Sequence, residues 1–200
     1  PLCDWSSDVC SSDLISELLE LPVKYGCEID IRSQDSKLIL NHEPYLSGDS
    51  LVDYLDNYNH GLLVLNIKEA GIENDVLQLV RERNIPSFFL LDVEFPYLYR
   101  ASRLGERAIA VRFSEDEPIE LVYNYNKLVD WVWVDTNTKL PIDSNNTLAL
   151  SSMQTCLVCP ERWGRPNDII PYRYSMKSLG FNPNAVMTNL KYTHLWEQDI

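Results

Sequence analysis

The deciding stretch is Cys27-Glu28-Ile29-Asp30-Ile31-Arg32, in which apolar and charged side chains alternate. Successive side chains of a β-strand point to opposite faces, so the stretch predicts a strand that carries Glu28, Asp30 and Arg32 on one face. Two carboxylates on one face repel each other unless a cation lies between them, and oxygen ligands suit Mg²⁺ or Ca²⁺. The stretch therefore predicts a divalent cation site at a strand end.

A second motif, Leu40-Asn41-His42-Glu43, follows ten residues later. Residues 33–36 read as a polar turn and residues 37–40 as a short strand, so a hairpin could bring His42 beside the carboxylates. That arrangement would form a phosphoryl-transfer site. The alternative is an acidic strand end paired with Arg32 and a surface histidine, and the local pattern does not decide between the two.

The remainder of the chain alternates short apolar runs with amphipathic helical stretches, which is typical of βα units around a parallel sheet. The pattern G-x-G-x-x-G is absent, which favours a barrel over an open doubly wound sheet. The fold class predicted is α/β, a (β/α)8 TIM-barrel type with seven countable βα units and the first strand missing. Further strands are expected at residues 62–67, 88–91, 108–113, 131–134, 156–158 and 185–187. Helices are expected at residues 16–25, 51–58, 73–83, 96–104, 119–128 and 169–179.

The first fourteen residues are rich in Ser and Asp and follow neither a helical nor a strand period. They resemble translated sequencing-adaptor DNA. We therefore expect residues 1–14 to be artefactual or disordered and residues 15–200 to form an incomplete barrel domain, with activity impaired by the missing strand.

Composition narrows the function classes. The formal net charge of −13 disfavours nucleic acid and anionic membrane surfaces as partners. No apolar run approaches the roughly 18 residues of a membrane span, and no signal peptide is visible, so a cytoplasmic location is expected. An odd number of cysteines, five, does not form a disulfide framework. Cys156 and Cys159 lie in a strand-like run on opposite faces, which disfavours a metal or redox role. The oligomeric state stays open.

In a barrel, side chains just past the strand ends meet at one mouth, where such enzymes keep their chemistry. Positive charge for an anionic substrate could come from a bound cation together with Arg32, Lys68 and Arg112. Further polar residues expected at this mouth are Asp92, Asp135 and Glu161.

Three motifs, at residues 26–32, 40–43 and 65–68, resemble the glycerophosphodiester phosphodiesterase family of the phosphodiesterase and phospholipase C barrel superfamily. The resemblance implies hydrolysis of a small-molecule phosphodiester with a divalent cation, Mg²⁺ or Ca²⁺. It implies that Glu28 and Asp30 bind the metal, with Asn66 at the position of a third ligand, and that His42 is the acid or base. Lys68 and Arg112 would hold the phosphate.

The sequence departs from the family pattern in two ways that matter. The family's first-strand His-Arg pair has no counterpart, and Asn66 replaces a glutamate, which removes one negative charge from the cation site. Two other functions therefore stay open. One is a non-catalytic barrel that binds a phosphorylated sugar or a lipid headgroup, and the other is an interaction module with a solvated acidic surface.

Overall fold

The computed structural model describes residues 8–199, in which eight of the strands form a barrel and the α-helices cover its outside. The strands are β1 (Asp8–Ser11), β2 (Gly26–Gln34), β3 (Lys37–Leu40), β4 (Asp49–Ser50), β5 (Leu63–Ile67), β6 (Phe88–Leu91), β7 (Ala110–Phe113), β8 (Trp131–Val134), β9 (Gln154–Val158) and β10 (Ala185–Met187). The α-helices are α1 (Ile15–Glu20), α2 (Leu51–Asp56), α3 (Glu73–Glu82), α4 (Phe95–Arg103), α5 (Glu120–Tyr125), α6 (Thr147–Leu150), α7 (Ile169–Ser178) and α8 (Thr193–Glu197).

The parallel strands follow one another around the ring in the order β1, β2, β5, β6, β7, β8, β9, β10 and back to β1. The contact between β6 and β7 is the narrowest, because it consists of a single bridge between Leu90 and Ile109. There the Leu90 N–H donates to the Ala108 carbonyl at 2.9 Å. The predicted (β/α)8 barrel is therefore confirmed, and β3 and β4 extend β2 as an antiparallel hairpin beyond the mouth.

The expectation that the first strand is missing is wrong, because β1 occupies that position. It pairs in parallel with β2 on one side and with β10 on the other. Val9 is fully buried and Cys10 is 6% exposed, so one apolar side chain on each face is sufficient to pack this strand into the barrel wall. The backbone of β1 supplies the rest of the pairing, which the side-chain pattern does not reveal. Residues 1–7 lie outside the described residues, and for them the expectation stays a prediction.

Apolar side chains form two layers separated by the barrel wall. The inner layer fills the barrel and includes Phe89, Trp131 and Trp133, whereas the outer layer packs the strands against the helices. Gly26 is required at the start of β2, because a Cβ there would lie 2.2 Å from the Leu62 carbonyl oxygen, which accepts the Cys27 N–H. This inner and outer alternation decides which side chains of each strand reach the mouth.

The element predictions agree with the structure to within a few residues for the strands after β1. The segment between β8 and β9, which had no helical period, contains only the four-residue helix α6. None of the helices within residues 8–199 has both the length and the apolar character to span a bilayer.

Candidate functional site

The carboxyl ends of β2 and β5 bring four polar side chains together inside the barrel mouth. Asp30 lies directly opposite Asn66 in the parallel register, and Glu28 is one step deeper on the same face. The Asn66 amide donates to Glu28 Oε1 at 2.8 Å, and the Lys68 ammonium lies 3.0 Å from Asp30 Oδ1. Glu28, Asp30 and Asn66 are each at most 6% exposed. The alternation along β2 therefore turns Glu28 and Asp30 toward the inside of the barrel, where they lie buried at the mouth.

Asn66 Oδ1 is buried without a hydrogen bond, and the buried Asp30 Oδ1 has the Lys68 ammonium as its partner in an ion pair. A buried oxygen without a hydrogen bond is costly unless something binds it. A Mg²⁺ or Ca²⁺ ion accepts carboxylate and amide oxygens as ligands, so the donor set fits such an ion. Within residues 8–199 no three His, Cys, Asp or Glu side chains cluster as a metal site, and the donor set described here consists of two carboxylates and the amide of Asn66.

These side chains line an open cavity of about 510 Å³, which is within the usual size range of small-molecule sites. Its other walls come from the opposite strands and the loops beyond them. The lining residues are Asp13, Glu28, Asp30, His42, Asn66, Lys68, Leu91, Arg112, Trp133, Asp135, Val158, Arg162, Trp163 and Met187.

His42 reaches this cavity from the loop after β3. Its side chain is 66% exposed, and Nδ1 lies 3.1 Å from Glu43 Oε1. The two other histidines are elsewhere: His60 contacts the Leu21 carbonyl with Nε2, and His194 is exposed on α8. The structure thus brings one histidine, not a pair, to the predicted carboxylates.

Arg32 does not reach the cavity, contrary to the prediction that it converges with Glu28 and Asp30. Its guanidinium donates to the His42 carbonyl from Nε at 3.1 Å and from Nη2 at 2.9 Å, and to the Lys68 carbonyl at 3.1 Å. The reason is that β2 continues past the barrel into the hairpin, so Arg32 lies beyond the mouth. Arg32 therefore holds the backbone of the loop that carries His42, and its binding of the substrate phosphate stays a prediction.

Arg112 lies in the mouth, but two carboxylates already occupy its donors. Nε and Nη2 donate to Asp92 at 2.6 and 2.9 Å, and Nη1 donates to Asp135. Burial alone would lower the pKa of Arg112, but the hydrogen bonds and charge of Asp92 and then the charge of Asp135 raise it above its usual range. Burial also raises the pKa of Asp135, against the opposing charge of Arg112. Arg112 lines the cavity with three of its five N–H groups bound to carboxylates, and its binding of phosphate stays a prediction.

Glu161, predicted at the mouth, is buried beside it. Its Oε1 accepts hydrogen bonds from the Thr188 hydroxyl at 3.1 Å and from the Asn189 backbone N–H at 2.8 Å. The neighbouring Cys159 is fully buried, and burial raises the pKa of its thiol to about 12. Cys156 and Cys159 are part of the barrel wall, as their strand-like run indicated.

Sequence reasoning missed the apolar and aromatic part of the cavity. Trp133 and Met187 face inward at the ends of their strands, and Arg162 and Trp163 follow β9 in a 3₁₀ turn, Pro160–Trp163. A signal existed for the last two, because the Pro-Glu-Arg-Trp sequence comes directly after an apolar strand. The apolar floor itself looks like ordinary core in the sequence, since most inward-facing strand residues are apolar.

Asp13 also lines the cavity, and its Oδ1 accepts the Asp30 backbone N–H at 2.8 Å. Burial raises the pKa of Asp13 to about 6, and the charges of Asp30 and Glu17 contribute, while the hydrogen bond from Asp30 and the charge of His42 oppose the shift. Because the folded pKa lies above the unfolded value, stability from this group is complete below about pH 3.8 and is lost as the pH rises through about 6.

Replacing Asp13 by Asn is therefore expected to increase the free energy of unfolding at about pH 8 and to have little effect at about pH 4. The expected gain is about 1–2 kcal/mol, reduced from the full shift because the side chain is only partly buried. Urea unfolding at the two pH values measures it, and Asp199→Asn at an exposed position serves as the control. A gain of equal size at both pH values would contradict the titration as its cause.

Comparisons with known proteins identify only structural relatives. A scan against family models finds no match, and a search of curated proteins finds none either. Among solved structures, the chain is similar to a glycerophosphodiester phosphodiesterase from Agrobacterium tumefaciens, with 11% identity, a TM-score of 0.61, and coverage of 96% of this chain and 100% of that one. A glycerophosphoryl diester phosphodiesterase from Parabacteroides distasonis has 10% identity, a TM-score of 0.62 and coverage of 92% and 83%.

A third similar structure is a phosphodiesterase from Oleispira antarctica in complex with the product sn-glycerol-3-phosphate. Its identity is 14%, its TM-score is 0.62, and the match covers 96% of this chain and 97% of that one. At identities this low a structural likeness establishes the fold alone. The chain therefore has the barrel fold found in these phosphodiesterases.

Proposed function

We propose that the chain is a metal-dependent phosphoric diester hydrolase that acts on glycerophosphodiester-like substrates. The observation that carries the proposal is the single cavity lined by Glu28, Asp30, Asn66, Lys68 and His42. The barrel fold places these groups where barrel enzymes keep their chemistry. The solved structures with this fold support the same activity, since one is described with sn-glycerol-3-phosphate as its product.

Glu28, Asp30 and Asn66 would hold the divalent cation. When bound, the cation would polarise a phosphoryl oxygen and neutralise part of the phosphate charge. Lys68 now lies against Asp30, so a cation that takes over that carboxylate would leave the ammonium able to pair with the phosphate. Arg162, which also lines the cavity, would be a second anion partner at this mouth.

His42 would protonate the leaving alkoxide or take a proton from the attacking water. Two Arg32 hydrogen bonds hold the His42 carbonyl, and a third joins Arg32 to the Lys68 carbonyl, so the loop is tied to the segment that follows β5. The leaving group would lie over the apolar floor of Leu91, Trp133 and Met187, which excludes water from one side. With one histidine for two proton transfers, we expect slow turnover.

The second candidate is a barrel that binds a phosphorylated sugar or lipid headgroup without hydrolysing it. Two observations favour it: Asn66 uses its amide N–H on Glu28, and a single histidine lines the cavity. Both would weaken catalysis while leaving Lys68 available to bind an anion.

One experiment separates the two candidates. The protein is stripped of metal with a chelator, and calorimetric titration then measures binding of Mg²⁺, Ca²⁺ and glycerol 3-phosphate. Release of glycerol 3-phosphate from a glycerophosphodiester is measured in parallel. Hydrolysis that needs added metal supports the enzyme, whereas glycerol 3-phosphate binding without hydrolysis supports the binding protein.

The metal assignment has its own control. Glu28→Gln combined with Asp30→Asn is expected to remove the metal isotherm, because it removes both carboxylates of the donor set. Glu20→Gln combined with Glu82→Gln changes the charge equally on exposed helix positions and should leave the isotherm unchanged. Equal metal binding in all three proteins would overturn the assignment.

A further inference from the structure

A buried carboxylate joins the two loops that follow β9 and β10. Glu161 is 9% exposed and belongs to the 3₁₀ turn after β9. Its Oε1 accepts from both the backbone N–H and the side-chain amide of Asn189, at 2.8 and 3.2 Å, and from the Thr188 hydroxyl. This carboxylate therefore holds the two loops together. Arg162 and Trp163 follow Glu161 in one loop, and Leu190 and Lys191 follow Asn189 in the other.

These residues form what we call the rim platform, which consists of Arg162, Trp163, Leu190 and Lys191. All four are exposed, although Trp163 and Leu190 are large apolar side chains, with 48% and 46% of their surface accessible. Arg162 and Trp163 also line the cavity, so the platform is continuous with the mouth. A tryptophan and a leucine flanked by two cationic side chains are the composition of a surface that lies at a membrane interface.

Other exposed apolar side chains belong to loops that follow neighbouring strands of the ring. β1 and β2 are the next strands around the ring after β10, and Leu14 follows β1 while Tyr45 and Leu46 follow the hairpin built on β2. Tyr45 is 99% exposed and Leu46 is 55% exposed. Single exposed apolar residues are ordinary on a protein surface, but a run of them over neighbouring positions marks an interaction site.

We propose that the rim platform docks the barrel mouth on a zwitterionic phospholipid surface. Trp163 and Leu190 would enter the interface, and Arg162 and Lys191 would pair with lipid phosphates. The formal charge of −13 decides the type of surface, because an anionic bilayer would repel the protein as a whole while a zwitterionic one would not. This inference does not rest on the proposed function, since docking requires no turnover.

The test is flotation of the whole chain with phosphatidylcholine vesicles. The wild-type protein is expected to float, and Trp163→Ser or Leu190→Ser is expected to weaken binding about tenfold, because each removes an apolar side chain of which half is still accessible. Tyr123→Ser and Tyr174→Ser, at positions 52% and 56% exposed on outer helices, are the matched controls and should bind like wild type.

Two further measurements make the result specific. The quenching experiment uses a Trp5→Phe background, in which the tryptophans are Trp131, Trp133, Trp163 and Trp196. Brominated phosphatidylcholine should then quench the fluorescence of Trp163, since the other three are buried, and adding Trp163→Phe should remove the quenching while keeping most of the binding. Adding phosphatidylglycerol to the vesicles should weaken binding. A wild-type protein that does not float, variants that all float equally, or binding that requires phosphatidylglycerol would each overturn the proposal.

Discussion

Replacing His42 by Ala is expected to lower the rate of phosphodiester hydrolysis by about 10²–10⁴-fold. Its side chain is the one imidazole in the cavity, and a positioned acid or base contributes an effect of this size. The free energy of unfolding should hardly change, because the ring is 66% exposed and contacts only its neighbour Glu43. Steady-state kinetics and urea unfolding of the same preparation measure the two quantities.

His194→Ala is the matched control, because that histidine is also exposed but lies on α8, away from the cavity. It should keep full activity. The pH dependence of the rate gives a second check, since loss of His42 should remove one limb of the profile while loss of His194 should not. If His42→Ala retained the wild-type rate, hydrolysis in this cavity would have to use another acid, and the role of His42 would be wrong.

Replacing Arg112 by Met is expected to destabilise the fold by about 1–3 kcal/mol, less than the usual cost of removing one partner from a fully buried ion pair, because 34% of the Arg112 side chain is exposed. The substitution leaves Asp92 and Asp135 close together without the guanidinium between them. Because burial already raises the pKa of Asp135, that carboxyl will be protonated more readily without Arg112, so the loss should be smaller at acidic pH than at neutral pH.

Two comparisons isolate the cause of that loss. Arg107→Met removes the partner of Asp130 at a site where both side chains are well exposed, and should cost less than about 1 kcal/mol. Adding Asp92→Asn and Asp135→Asn to Arg112→Met should recover much of the stability, because no uncompensated charge then remains. A loss that the two amides do not relieve would indicate that Arg112 stabilises the barrel by packing rather than by charge.

Most strands after the first could be predicted because a strand buried on both sides appears as an uninterrupted apolar run, as at residues 88–91 and 131–134. β2 and β3 could be predicted because alternation and a polar turn are local signals. β1 could not, because its pairing depends on backbone hydrogen bonds to strands that are distant in sequence. A four-residue segment with two apolar side chains carries no local signal that it pairs with β2 and β10.

The candidate site also has one part that could be predicted from the sequence and one part that could not. Glu28, Asp30 and Asn66 could be brought together from sequence, because parallel strands in register align their ends. The partners of Arg112 could not, because a guanidinium at a strand end is equally able to bind a phosphate or two neighbouring aspartates, and only the distances decide. The same holds for Arg32, whose hydrogen bonds to the His42 and Lys68 carbonyls have no signal in the sequence.

Because a single bridge joins β6 and β7, we expect the barrel to open first between these two strands. The backbone pairing of β6 with β7 is short, but the Asp92–Arg112 ion pair connects the end of β6 to β7 at the mouth. The ion pair thus helps to hold the two strands together, and amide hydrogen exchange in β6 and β7 should report how strongly it does so. The narrowest strand pairing of the barrel therefore lies beside the candidate cavity, so a change that strengthens this ion pair should also make the cavity more rigid.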